Sequence, residues 1–235
     1  MTVYNLLIAA TVLSLSGCAF EGHESGPLQH ETKSIELDKS ELVKVDLNMG
    51  AGDLKVSGGS SKLMDGDFTY NVADWKPEIR YNNTGVRGFL TINQPHSGTM
   101  HSGGMKNEWN VHLSDAVPVD LKIHFGAGQG KLDLGTLSLR SIEVEMGVGE
   151  LNLDLRGSPK RDYDVHIRGG VGEANVYLPK GVGVEANASG GLGGVKATGL
   201  NKQGNRYSND LYETSKIKVH LDIRGGIGAI NLIGE

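Results

Sequence analysis

Apolar and polar residues alternate strictly along five stretches of the chain, and each stretch runs into a Gly-x-Gly motif. Val43, Val45, Leu47 and Met49 precede the first motif, Leu121, Ile123 and Phe125 the second, and Ile142, Val144 and Met146 the third. Val165 and Ile167 lead to the fourth, and Val219, Leu221 and Ile223 to the sixth. The intervening positions are polar, among them Asp46, Asn48, Lys122, His124, Glu143, Glu145, His166, Arg168, Asp222 and Arg224. A period of two predicts strands with one face in a core and the other in water.

The six motifs are Gly50-Ala51-Gly52, Gly126-Ala127-Gly128, Gly147-Val148-Gly149, Gly170-Val171-Gly172, Gly191-Leu192-Gly193 and Gly226-Ile227-Gly228. They start 76, 21, 23, 21 and 35 residues apart, and a repeat in the low twenties is the length of one coil or one strand pair. The alternation runs through the middle residue of each motif and then changes phase. After Val148 the next apolar residues are Leu151, Leu153 and Leu155, a displacement that turns a straight strand over. A bend at the glycines restores the inward direction, and glycine suits it because it accepts positive φ and close backbone approach.

Each unit therefore reads as strand, glycine corner, strand. The predicted fold class is all-β and solenoid-like: a closed β-helix or a stack of open sheets, with the glycines aligned in columns. A phosphate-binding reading of Gly-x-Gly needs a helix N-terminus after the glycines, whereas every copy here leads into another strand pattern.

Between residues 59 and 115 the repeat lapses. Phe68–Val72, Glu78–Tyr81 and Phe89–Asn93 read as short strands separated by turn residues, a β-meander insertion without which the repeats are expected to fold. Trp75 and Trp109 in this insertion are packing residues, or weak candidates for an exposed binding patch.

The N-terminal twenty residues have a different pattern. An apolar run from Leu6 to Leu15 is too short to span a bilayer, fits the apolar part of a secretory signal, and ends in Leu15-Ser16-Gly17-Cys18, which resembles a bacterial lipobox. Residues 1–17 are expected to be a lipoprotein signal peptide, with Cys18, the sole cysteine, as the lipidation site. Residues 18–33 read as a flexible tether and residues 34–235 as one β domain. The expected location is the bacterial cell envelope, lipid-anchored; in a Gram-negative cell it is the outer membrane, facing periplasm or surface.

Composition narrows the function. Glycine accounts for 35 of 235 residues without a three-residue period, which excludes collagen and agrees with repeated turns. A formal net charge of -5 with scattered lysines and arginines offers no basic stripe for nucleic acid. One cysteine allows no disulfide, and no nucleophile signature such as Gly-x-Ser-x-Gly is present.

The eight histidines are the candidate metal ligands. His96 and His101 flank a Gly/Ser loop, while His124, His166 and His220 sit at different offsets from their corners and therefore fall on a diagonal of surface positions. Glu150 and Glu173 follow equivalent corners and form the one carboxylate pair that could serve a glycan hydrolase. The leading expectation has no enzymatic activity, cofactor or metal.

The segment Phe68–Pro95 with Trp75-Lys76-Pro77, joined to VDLNMGAGDLKVSGG (residues 45–59) and the glycine-corner strands, resembles the toast-rack domains of unknown function. These occur in surface adhesins and in the extracytoplasmic part of the cell-wall-active antibiotic response protein LiaF. The resemblance covers nearly all of residues 35–235. With the lipobox, the polar strand faces and the lack of a catalytic constellation, the expectation is an adhesin-like or scaffold module whose partners are the membrane through its lipid and an envelope protein or cell-wall polymer, with a second copy or a partner covering the edge formed by the last repeat. The alternative is a regulator of the envelope stress response acting through a membrane sensor.

Overall fold

The computed structural model describes residues 26–95 and 104–234. The insertion is preceded by β1 (Gln29–Ile35) and β2 (Leu42–Ser60) and contains β3 (Met64–Tyr70), β4 (Glu78–Asn83), β5 (Arg87–Asn93) and β6 (Asn107–Ser114). The repeats follow as β7 (Val119–Asp133), β8 (Leu139–Asp154), β9 (Tyr163–Tyr177) and β10 (Gly183–Leu192). Then come β11 (Val195–Thr198), β12 (Asn201–Gln203), β13 (Arg206–Ser208) and β14 (Lys218–Ile233). All belong to one open, mixed, 14-stranded sheet, whose middle is the parallel run β2-β7-β8-β9-β14-β10. Of the two expected architectures, the stacked open sheet is the one observed.

Chain length shows that the long strands fold back on themselves. Straight, the 15 residues of β7 would extend about 50 Å. Yet β8 begins beside the start of β7, with Val119 opposite Leu139, and only residues 134–138 join the two strands. Five residues reach roughly 20 Å. The strand must therefore return, and it does so at Gly126-Ala127-Gly128. Each long strand is thus two arms whose inward side chains, such as Val144 on the first arm of β8 and Leu153 on the second, share one core.

The bend depends on the second glycine of each motif. Gly52, Gly128, Gly149, Gly172, Gly193 and Gly228 all have positive φ, between 120° and 144°. At Gly149 and Gly172 a Cβ would overlap the carbonyl oxygen of the equivalent glycine on the neighbouring strand. Strand spacing in the stack therefore requires the missing side chain as well as the unusual φ.

Three expectations are corrected. The middle residue of the motif points outward, not inward: it lies on the outside of the corner, leaving Val148, Val171, Ile227 and Leu192 between 44% and 70% exposed. Residues 29–33, expected in the tether, belong to β1, which pairs along its whole length with β3 because Thr32 and Ser34 bond Asp67 and Asp65 across the pair. The last repeat is not an edge. β14 inserts between β9 on one side and β10 and β11 on the other, so the fifth motif stacks outside the sixth.

The insertion caps the other end of the stack. β5 extends the first arm of β2 and β6 extends its second arm, with β4 and the pair β3-β1 beyond them. Trp109 is 1% exposed and meets Phe68 edge-on, with ring centroids 5.7 Å apart, so this end of the core is closed by aromatic packing.

Candidate functional site

The parallel register turns a common sequence offset into a row of side chains. Asn48, His124, Glu145 and Arg168 all stand two residues before the first glycine of a motif, and they are direct neighbours on β2, β7, β8 and β9. His124 Nδ1 lies 3.0 Å from Glu145 Oε2, and Arg168 donates to Glu145 Oε1 at 3.1 Å. Lys122 and Glu143, one pleat earlier, pair at 3.3 Å.

This row forms one wall of an open cleft of about 830 Å³ running across the corners of four strands. The insertion supplies the opposite end. Trp75, on a 3-10 turn (Ala73–Trp75) between β3 and β4, lines the cleft with Gln94 and Pro95. Gln94 also fixes the first corner: its Oε1 accepts from the Gly50 amide at 2.8 Å, the Ala51 amide at 3.3 Å and Asn107 Nδ2 at 3.0 Å. The remaining lining is backbone of the glycine column with Met49, Phe125 and Met146 beneath it.

An aromatic ring, an apolar floor and a hydrogen-bonding charged wall are the elements of a binding surface for an extended chain. Among the described residues no serine, threonine, cysteine or lysine lines the cleft beside His124 and Glu145 to act as a nucleophile. Among the described residues no group of three His, Cys, Asp or Glu side chains could hold a metal ion, and no helix is long and apolar enough to cross a membrane.

Of the residues singled out in the sequence, Trp75 lies at the cleft. Trp109 is in the core and presents no surface to a ligand. Glu150 and Glu173 are register partners as their equivalent positions predict, but they sit on the second arm away from the cleft. There they accept from Asn152 and Asn231, at 2.7 and 2.8 Å. His166 and His220 occupy different rows from His124, facing Glu143 and Asp222, and Asp164 and Glu185, respectively. Cys18, His96 and His101 lie outside the described residues. The signal for the His124–Glu145–Arg168 row in the sequence is its shared offset from the glycines, whereas Gln94 stands at no such offset and is placed only by the fold.

Comparison with known proteins follows the same architecture. The model of the toast-rack N-terminal domain matches residues 24–177. The chain belongs to the toast-rack family. The C-terminal domain of the cell wall-active antibiotics response protein LiaF also matches the toast-rack chain, over residues 127–232. A solved structure from Clostridium sporogenes, described as a "putative cell adhesion protein", is 39% identical, covers 89% of this chain and 100% of its own, and superposes with a TM-score of 0.83. A Bacteroides fragilis "putative adhesin" covers 89% of this chain and 99% of its own at 11% identity, with a TM-score of 0.34. No curated protein matches the toast-rack chain.

Proposed function

We propose that this toast-rack protein is a non-enzymatic binding module of the cell envelope, adhesin-like, that holds an extended polymer in its corner cleft. The observation that carries the reading is the cleft itself: four parallel strands present a polar row to an 830 Å³ channel ended by Trp75. The adhesion description of the Clostridium relative supports it. Aromatic stacking with flanking charge-assisted hydrogen bonds suits a glycan or cell-wall polymer. In this reading the module faces outward from a membrane, held by lipid on Cys18.

Binding of the full chain to isolated cell-wall material tests the proposal. Trp75→Ala and Arg168→Ala are each expected to weaken binding by about tenfold, the size of one stacking or one charged contact. Wild-type affinity in both variants would overturn it. Cys18→Ser is expected to move the protein out of the membrane fraction, and retention there would show another anchor.

The LiaF match favours a second reading, regulation of an envelope stress response through a membrane sensor. In-cell crosslinking before and during envelope stress separates the two. Repeated capture of a membrane sensor through residues 62–110 supports regulation, and capture of cell-wall material alone supports the binding module.

A further inference from the structure

The side of the stack opposite the glycine corner is closed by the loops that carry each second arm to the next first arm. Residues 134–138 connect β7 to β8, and the longer stretch 155–162 connects β8 to β9. The two loops stack closely at their glycines: a Cβ on Gly135 would overlap the Arg156 carbonyl oxygen, and one on Gly157 would overlap the Gly135 carbonyl oxygen. The longer loop has residues to spare beyond this contact. Ser158, Lys160 and Arg161 form one wall of a pocket of about 190 Å³, and Thr136 and Ser138 of the shorter loop form the other.

Tyr163, the first residue of β9, lies at the base of this pocket with its ring in the core and is only 4% exposed. Its hydroxyl bonds to no described residue, and burial alone pushes its ionisation well above the ordinary value of 10, so it remains a neutral donor at physiological pH. A hydroxyl held in this way needs an acceptor brought into the pocket. Charge points the same way. Lys160 and Arg161 are exposed and pair with no described carboxylate. Asp115, the one acid lining the pocket among the described residues, has its Oδ1 taken by the Thr136 hydroxyl at 2.8 Å and the Gly59 amide at 3.1 Å. The neighbouring Asp162 accepts from the Lys218 amide at 2.8 Å.

We propose that this pocket binds a small phosphate-bearing group, with Tyr163 donating from the floor, Ser138 and Ser158 from the two walls, and Lys160 and Arg161 supplying the opposite charge. Donors on a floor and two walls suit a tetrahedral oxyanion better than a planar carboxylate, whose acceptors lie in one plane. The volume, that of about six water molecules, admits a phosphate with a short polyol and excludes a polymer chain lying along the pocket. The pocket shares no residue with the corner cleft, so the assignment stands whether or not that cleft holds a polymer. A lipid headgroup and a polyol phosphate, free or in a wall polymer, offer the same chemistry.

Calorimetric titration of the full chain with glycerophosphoglycerol, and with dihexanoyl phosphatidylglycerol below its micelle concentration, tests the site and separates the two sources. Binding of at least one probe is expected, weakened about tenfold or more in K160A/R161A and in Tyr163→Phe. Equal affinity for the two probes would identify a polyol phosphate as the ligand, and a tenfold preference for the acylated probe a lipid headgroup. Binding of neither probe, or affinity unaltered in both variants, overturns the proposal. Tyr163→Phe keeps the ring in the core and removes only the unpaired hydroxyl, so its thermal unfolding temperature is expected to be unchanged or higher. A lower one would show that the hydroxyl is paired within the protein and would also overturn the proposal.

Discussion

A methyl group on Gly172 would occupy the space of the Gly149 carbonyl oxygen and would also sit on a residue with φ of 144°. Both penalties apply at one position, so Gly172→Ala is expected to cost at least about 3 kcal/mol in urea denaturation, combining strained backbone with overpacking. Gly169, three residues earlier, meets only the end of the Met146 side chain, at 3.9 Å. Gly169→Ala is therefore expected to change stability by less than about 1 kcal/mol. Equal costs at the two sites would remove the corner argument. A second residue-scale effect concerns Asp38, between β1 and β2. The Tyr81 hydroxyl, donating at 2.7 Å, together with Ser40 and Asn83, holds its carboxyl well below the ordinary value of 3.8. A carboxylate depressed in the folded state stabilises the protein above its unfolded pKa and stops doing so as pH falls through the folded value. Asp38→Asn is expected to reduce the loss of stability between neutral and acid pH without abolishing it. Asp65 and Asp154 are also held low, by Ser60 and Arg156 respectively. An unchanged pH profile would assign the acid sensitivity to those two and to Glu31, which, against the opposing effect of burial, Lys33 and Lys76 hold low.

At the scale of elements, the second arms are tied by an asparagine ladder as well as by backbone. Asn175 donates to Asn152 at 3.1 Å and accepts from Asn231 at 2.8 Å, linking β8, β9 and β14. Asn175→Ala removes both bonds and is expected to cost about 1–2 kcal/mol by thermal or urea unfolding. The insertion matters more. Since β5 and β6 pair both arms of β2 and Trp109 closes the core, the repeats do not end where the repeated sequence ends. Deleting residues 62–110 uncovers that end, and the expected outcome is loss of cooperative unfolding by circular dichroism. Trp109→Ala alone is expected to cost about 3–5 kcal/mol. The expectation from sequence that the repeats fold without the insertion is the opposite outcome, and this deletion decides between the two.

Over the whole molecule, the stack carries two distinct features on its corner, a cleft at the end capped by the insertion and a row of exposed apolar residues toward the other. Both include β8 and β9, but Trp75 belongs to the cleft alone, so Trp75→Ala is expected to impair polymer binding while leaving the stack folded by circular dichroism. The sequence alone determined the strands, their buried faces and the corners, because a period of two and a recurring glycine pair are local properties that hold in any environment. Tertiary structure alone decided the rest. The large middle residues of the later motifs face water because they lie on the outside of the corner, β14 lies inside the stack between β9 and β10, and Trp75 joins His124, Glu145 and Arg168 in one cleft. All three follow from non-local strand order and register, whose hydrogen bonds join backbone groups common to every residue and so leave little trace in side-chain identity.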